Sequence, residues 1–128
     1  RADLYITQPV LSVAKTSKII SDTVSGTNPK SLPGAVVEYC VLMTNMDSIS
    51  MTNIAPSDTL PANTTYLPGS LLSGTSCAGA TTIEDDDNAD ASETDAFRMA
   101  AAGSTITGSA ATLAAGASFA MVFRATIN

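Results

Sequence analysis

The densest group of side chains capable of chemistry is an acidic run in the second half of the chain. Seven of the 12 acidic residues lie between Glu84 and Asp95. Carboxylates this crowded repel one another unless water, salt or a cation neutralises them. Hard oxygen ligands at short spacing suit Ca²⁺, although the EF-hand spacing is absent. The run therefore predicts either a Ca²⁺ site or a solvated acidic loop, and the candidate ligands are Asp85, Asp86, Asp87, Asp90, Glu93 and Asp95.

The two cysteines, Cys40 and Cys77, form the second group with a defined chemistry. If they are oxidised, they close a loop of about 37 residues, which is worth roughly 3–4 kcal/mol in the chain-entropy model. If they are unpaired, they act as small buried hydrophobic residues. The even number of cysteines and a composition typical of cell-surface proteins favour the disulfide. A disulfide would place the chain in an oxidising compartment.

The remaining polar residues exclude most catalytic and nucleic-acid-binding classes. The chain has no His, so Ser-His-Asp and Cys-His catalysis and His-ligated metals are ruled out. One flexible acidic run does not supply the opposed carboxylates of a glycosidase, and we predict that the protein is not an enzyme. The net charge of −6 disfavours nucleic acid and anionic membranes as partners.

Three observations place the chain among secreted globular domains. Hydrophobic residues make up 45% of the sequence and the mean hydropathy is +0.20, which is too apolar for a disordered chain. No apolar segment is long enough to span a membrane. The sequence begins at Arg1 without a signal peptide, so we expect a mature form whose leader has been removed, located extracellularly or at the cell surface.

A sequon is present at Asn63-Thr64-Thr65, within a segment that reads as a turn. Such a site is accessible to N-glycosylation. Many matching sequences are never modified, so glycosylation of Asn63 is left open.

Period-two alternation of apolar residues runs through the chain and predicts strands. It is clearest in Ala35–Thr44 and in Ala117–Ile127, where Phe119, Met121 and Phe123 share one face. No helical pattern of comparable length is present. Short strands separated by turn signals indicate an all-β sandwich of about seven strands. Weaker strands are predicted at Val10–Ile20, Met51–Leu60 (interrupted by Pro56), Thr64–Leu67, Ser70–Leu72, Ala96–Ala102 and Ser104–Thr107. One long loop is predicted at Ser73–Asp95.

Several segments resemble a known family. They are LSVAKTSKIISDTVSGTNPKSLPGAVVEYCVLMTN, SDTLPANTTYLPGSL, the Asp-rich stretch and TLAAGASFAMVFRATIN. Together they resemble the conserved repeat domain of bacterial surface proteins, the domain of unknown function numbered eleven, over Val10–Asn128. The resemblance implies an immunoglobulin-like β-sandwich with a structural role and no catalytic residues. Cys40 stands where the family more often has Thr or Val, so the disulfide is inferred from this sequence alone.

The residues before the resemblance form a separate N-terminal extension. We divide the chain into residues 1–9, the extension, and residues 10–128, the sandwich. Leu4 and Ile6 alternate with Asp3, Tyr5 and Thr7, which is the pattern of a half-apolar strand. Such a strand either covers an edge of its own sandwich or is donated to a neighbour, with Pro9 as the hinge.

Donation repeated head to tail gives an open filament. The sequence thus predicts a homopolymeric structural subunit of an extracellular bacterial filament or pilus-like fibre. Ala2–Gln8 is the donor strand, with Leu4 and Ile6 as apolar anchors and Tyr5 facing outward. Its groove is lined partly by the C-terminal strand through Phe119, Met121 and Phe123.

Two alternatives remain open. One is a Ca²⁺-dependent surface adhesin that binds a glycan or a host ligand, and the other is a monomeric spacer domain of a larger surface protein. Apart from Ca²⁺ no cofactor is expected.

Overall fold

The computed structural model describes residues 11–22, 24, 30–84 and 97–128. These residues form ten strands and no helix, so the predicted all-β class is confirmed. No helix in this part of the chain could cross a membrane. The strands are β1 (Leu11–Ser21), β2 (Val36–Asn45), β3 (Met51–Ile54), β4 (Ser57–Thr59), β5 (Thr64–Tyr66), β6 (Leu72–Gly74), β7 (Thr82–Ile83), β8 (Phe97–Ala102), β9 (Thr105–Leu113) and β10 (Ser118–Ile127).

The strands pair into two antiparallel sheets of unequal width. The first sheet runs β1-β2-β10-β6-β7, and β5 also pairs with β10. In the second sheet β8 lies on one side of β9, while β3 and β4 pair with successive parts of its other side. β3 and β4 are therefore two halves of one edge, interrupted at Ala55 and Pro56. Among the described residues, the second sheet is three strand positions wide and the first is five.

The core lies between the sheets and is built mainly by β2 and β10. Their register places Met43 opposite Phe119, Val41 opposite Met121 and Tyr39 opposite Phe123, so the apolar faces of both strands point the same way. Tyr39 stacks on Phe123 with ring centroids 5.7 Å apart. Each large side chain buried here contributes about 1.5–3 kcal/mol relative to exposure. The alternation read from the sequence marks this buried face correctly.

The sequence prediction stops too early at Ser104–Thr107, because β9 continues to Leu113. The later residues of β9 are small, so the two faces of the strand differ little in hydrophobicity and the alternation is hard to detect. The packing of the sheets explains why these residues are small. A Cβ on Gly108 would collide with Sδ of Met121, and Ala110 is 2% exposed. The narrow side chains of β9 let the second sheet pack closely on the first.

The predicted loop Ser73–Asp95 is wrong over its first part. The end of β6 and all of β7 lie within it, with Leu72 opposite Ile83 and Ser73 opposite Thr82. These strands are too short to show an alternation. The strand Met51–Leu60, predicted with an interruption at Pro56, divides there into β3 and β4, which also raises the count above the predicted seven.

A disulfide joins Cys40 to Cys77 with an S–S distance of 2.03 Å, which confirms the predicted pair. Cys40 lies on the outer face of the first sheet, because its neighbours Tyr39 and Val41 face the core. The bond holds the segment 74–80 against that face, over a second small apolar cluster. The cluster consists of Cys40, Ala80, Ala120 and Val122, with Leu42 and Leu72 packed against it.

Candidate functional site

The unequal widths of the sheets leave the inner face of β1 uncovered by the second sheet. β1 pairs with β2 through a long ladder in which Val13 lies opposite Met43 and Lys15 opposite Val41. Its odd-numbered side chains therefore face the second sheet, as those of Met43 and Val41 do. Val13 is nonetheless 60% exposed and Leu11 is 36% exposed. The described part of the second sheet ends one strand position short of covering them.

This mismatch forms an apolar groove between the two sheets, which we call the edge groove. Its floor is formed by β1 and β2, and its wall by the edge made of β3 and β4. The groove is lined by Leu11, Val13, Val41, Met43, Asn53, Ile54, Ala55, Pro56 and Ser57. A strand added beside β3 and β4 would place alternate side chains on the floor.

The wall of the edge groove is an irregular strand edge. Asn53 has a φ of +57°, and the ladder with β9 registers Thr52 and Ile54 but passes over Asn53. The register with β9 is the same before and after Asn53, so the positive φ is a local departure from extended backbone with no extra residue. Pro56 follows between β3 and β4, has no N–H to donate, and its carbonyl accepts a hydrogen bond from the Gly108 N–H at 3.0 Å. Pro56 therefore pairs toward β9, and the irregularity on the groove side of this wall is the positive φ of Asn53.

An ion pair closes one end of the edge groove. Lys15 Nζ lies 2.8 Å from Oδ2 and 3.1 Å from Oδ1 of Asp58, so that β1 is bridged to β4. The ammonium also lies 5.0 Å from the centroid of the Tyr39 ring. Because the Lys15 side chain is 38% exposed, the pair contributes little to stability, on the order of 0–1 kcal/mol. The pair matters here because it lies at the end of the apolar floor of the edge groove.

The opposite end of the groove is open and apolar. Leu11 lies there opposite Asn45, whose fully buried side chain organises the turn between β2 and β3. Asn45 Nδ2 donates to the carbonyls of Ile49 at 2.8 Å and Leu113 at 2.9 Å. The turn leaves Met46 63% exposed and Ile49 61% exposed.

The C-terminal strand does not line this groove, contrary to the sequence prediction. Phe119, Met121 and Phe123 are fully buried. They lie on β10, which pairs with β2 on one side and with β5 and β6 on the other. A central strand with neighbours on both sides exposes no edge, so these residues form the core. The predicted donor residues Leu4, Tyr5 and Ile6 lie outside the described residues.

The predicted Ca²⁺ ligands also lie outside the described residues; they are Asp85, Asp86, Asp87, Asp90, Glu93 and Asp95. Within the described ranges no group of three or more His, Cys, Asp or Glu side chains could hold a metal. Glu84, at the start of the acidic run, is 2% exposed and accepts a hydrogen bond from Ser73 Oγ at 2.5 Å. The run thus begins with a carboxylate turned into the protein, and the Ca²⁺ site stays a prediction.

Asn63, the acceptor residue of the sequon, lies on an exposed turn as the sequence predicts, and Thr64 and Thr65 begin β5. Asn63 has a φ of +67°, which Asn tolerates better than most residues. Its carbonyl accepts a hydrogen bond from the Asn128 N–H at 2.9 Å, and Thr65 Oγ1 is 2.7 Å from Asn128 Oδ1. The turn is thereby tied to the C-terminal end of the chain. Modification of Asn63 stays a prediction.

Sequence reasoning missed the floor and wall of the edge groove. The signal on the floor was the shared face of Leu11 and Val13, which Lys15 continues at the same spacing. On this face of β1 two apolar residues are followed by a charged one, which is the pattern expected where a partner strand covers only the apolar part. The outer face of β1 differs, since Lys18 lies 3.6 Å from Glu38, which Arg124 contacts at 3.0 Å.

Comparisons of the chain with family models, with curated proteins and with solved structures found no match. The resemblance to the bacterial repeat domain therefore stays a prediction. The disulfide fits an oxidising, extracellular environment. Any more specific function has to be argued from the edge groove.

Proposed function

We propose that this chain is a structural subunit of an extracellular bacterial filament or pilus-like fibre. In the proposed assembly, the N-terminal segment Ala2–Gln8 of one copy adds as a strand to the edge groove of the next. The observation that carries the proposal is the apolar inner face of β1, which no described strand covers, beside the edge of β3 and β4, with which no described strand pairs. Strand addition to an exposed sheet edge is an established mode of recognition.

The donor segment matches the groove in chemistry and in length. Leu4 and Ile6 share a face of an extended strand and lie about 7 Å apart. The groove floor offers the same number of inward positions on β1, at Leu11 and Val13, before Lys15 closes it. Seating both anchors would bury the apolar surface of Val13 that is exposed in the isolated chain.

Chain geometry favours donation between copies over pairing within one copy. β1 leaves the groove at Leu11, so residues 8–10 would have to turn the chain back for Ala2–Gln8 to fill its own groove. Packed sheets lie about 10 Å apart, and the three Cα–Cα steps from Gln8 to Leu11 reach about 11 Å at most. The crossing would consume nearly all of this length and leave none for a reversal, and Pro9 further restricts the turn.

Donation between copies makes the contact heterologous, because the donor and the groove are different surfaces of the same chain. Such a contact leaves one donor and one groove free at the two ends of any oligomer, and it propagates into an open filament unless the rotation closes a ring. A single type of subunit is sufficient for this assembly.

The proposal is tested by negative-stain electron microscopy of the full chain and two matched variants. Replacing Leu4 and Ile6 with Ser removes the inward anchors, whereas replacing Asp3 and Thr7 with Ser changes the outward face of the same segment. We expect fibres from the native chain and the outward variant, and separate particles from the anchor variant. Fibres from the anchor variant would refute the donor role. Separate particles from the native chain would favour the adhesin or spacer alternatives.

A further inference from the structure

We propose that the ion pair between Lys15 and Asp58 is a register stop for the donated strand. In this view the pair limits the groove to donors with two apolar residues on one face, followed on that face by a small or polar residue. The inference rests on the proposed function and adds a determinant of specificity to it.

Both charged groups face into the space that the donated strand would enter. Lys15 follows Val13 by two residues on β1 and therefore shares its inner face. Asp58 lies opposite Ile106 in the ladder with β9, and Ile106 is fully buried. Because residues directly opposite in an antiparallel ladder share a face, Asp58 also points inward. The two side chains meet across the gap between the sheets, directly in line with the groove floor.

The wall alone specifies the register weakly. The positive φ of Asn53 interrupts the extended edge of β3, so the donated strand finds no long uniform ladder to align against. Register is otherwise set by which side chains are buried. The end of the apolar floor must then decide the alignment, and Lys15 and Asp58 form that end.

Each alternative register meets a specific penalty. A slip of one residue turns Asp3 and Tyr5 toward the apolar floor. A slip of two residues toward the ion pair places Leu4 or Ile6 in contact with Lys15 and Asp58. The two charged groups then lose water without gaining a replacement hydrogen bond. A slip of two residues the other way leaves an apolar position of the floor uncovered.

In the aligned register the next residue on the inward face is compatible with the pair in either strand direction. It is Gln8 at one end of the donor segment or Ala2 at the other. The Gln8 amide can hydrogen-bond to either charged group, and Ala2 is small enough to leave both hydrated.

Cysteine cross-linking between full-length copies reads the register directly. One copy carries Leu4→Cys or Ile6→Cys, and the other carries Leu11→Cys or Val13→Cys. The four mixtures are oxidised under mild conditions, and the linked peptides are quantified by mass spectrometry. With a single register, each donor cysteine links to one acceptor position at least about tenfold more than to the other, since tenfold corresponds to about 1.4 kcal/mol between registers.

The same mixtures are then repeated in acceptor chains that carry Lys15→Met with Asp58→Leu, which extends the apolar floor without removing bulk. Lys18→Met with Glu38→Gln is the matched control, since it alters an ion pair of the same strands on the outer face. Asp58→Asn is a second test variant that keeps the shape of the side chain, and thermal melts verify that each variant is folded.

The register stop predicts that selectivity falls to about equal linking in the extended-floor variant, falls partly in Asp58→Asn, and is unchanged in the control. Unchanged selectivity in both test variants would overturn the register stop and leave strand donation intact. No linking in any mixture, native background included, would overturn strand donation itself.

Discussion

Replacing Val13 with Asp separates folding from assembly more cleanly than any other single change in the edge groove. Val13 is 60% exposed in the isolated chain, so an Asp side chain there remains hydrated while the subunit is alone. Its neighbours in the ladder are unaffected, because the backbone pairing with Met43 does not depend on the side chain. We expect the melting temperature of the subunit to change by no more than a few degrees.

The effect on assembly is expected to be much larger. Fully burying a Val side chain is worth about 1.5–3 kcal/mol, and 60% of that, about 1–2 kcal/mol, becomes available only when a strand covers the groove. The Asp variant forfeits this term and must also bury a carboxylate beside an apolar strand, which costs several kcal/mol. A total of about 3 kcal/mol or more raises the critical concentration for assembly by roughly a hundredfold.

The critical concentration is measured by sedimentation of the polymer and by light scattering. Ser12→Asp is the matched control, because it adds the same charge one residue away on the exposed outer face of β1. The control should assemble like the native chain. An assembling Val13→Asp variant with a native critical concentration would show that the edge groove is not the acceptor. A Val13→Asp variant that is unfolded would show that the inner face of β1 belongs to the subunit core.

The other predictions concern the stability of the sandwich and are read by thermal melts. Replacing Cys40 and Cys77 with Ala removes about 4 kcal/mol on the chain-entropy model for a 37-residue loop and should lower the melting temperature by about 15 °C; a loss below about 4 °C would contradict a bracing role. Gly108→Ala should destabilise by about 1–3 kcal/mol through overpacking against Met121, whereas relief of glycine flexibility alone would stabilise. Asn45→Ala leaves the buried carbonyl of Leu113 and the part-buried carbonyl of Ile49 without their donor and should cost about 1–3 kcal/mol, so a neutral result would mean that the turn reorganises.

The sequence reveals the strands whose apolar contrast is strong. β2 and β10 lie within one residue of the predicted Ala35–Thr44 and Ala117–Ile127, because their large side chains alternate with a fixed period. The disulfide follows from the cysteine count and its redox chemistry. Both features are local or compositional, and neither requires knowledge of how the sheets are arranged.

The groove depends on arrangement and was placed wrongly. Alternation shows that Phe119 and Met121 have a buried face, but it does not show that β10 has neighbours on both sides. The width of the second sheet depends on β9, whose Gly, Ala and Ser residues obscure the pattern. The inner face of Val13 is apolar in the sequence, and only its 60% exposure in the folded chain shows that the second sheet leaves it uncovered, which is the basis of the proposed strand addition.

The acidic run needs a test that does not depend on the groove. A Ca²⁺ site predicts that a chelator lowers the melting temperature, and that neutralising Asp85, Asp86 and Asp87 abolishes the difference. A solvated loop predicts the same melt with and without chelator.

A cryo-electron microscopy reconstruction of the native assembly tests the central claim most directly. We predict fibres in which every subunit carries an additional strand beside β3 and β4, over Leu11 and Val13, and this strand traces to Ala2–Gln8 of the neighbouring copy. An additional strand that traces to the same copy would contradict donation between subunits. A fibre whose contacts leave the edge groove open would contradict the account as a whole.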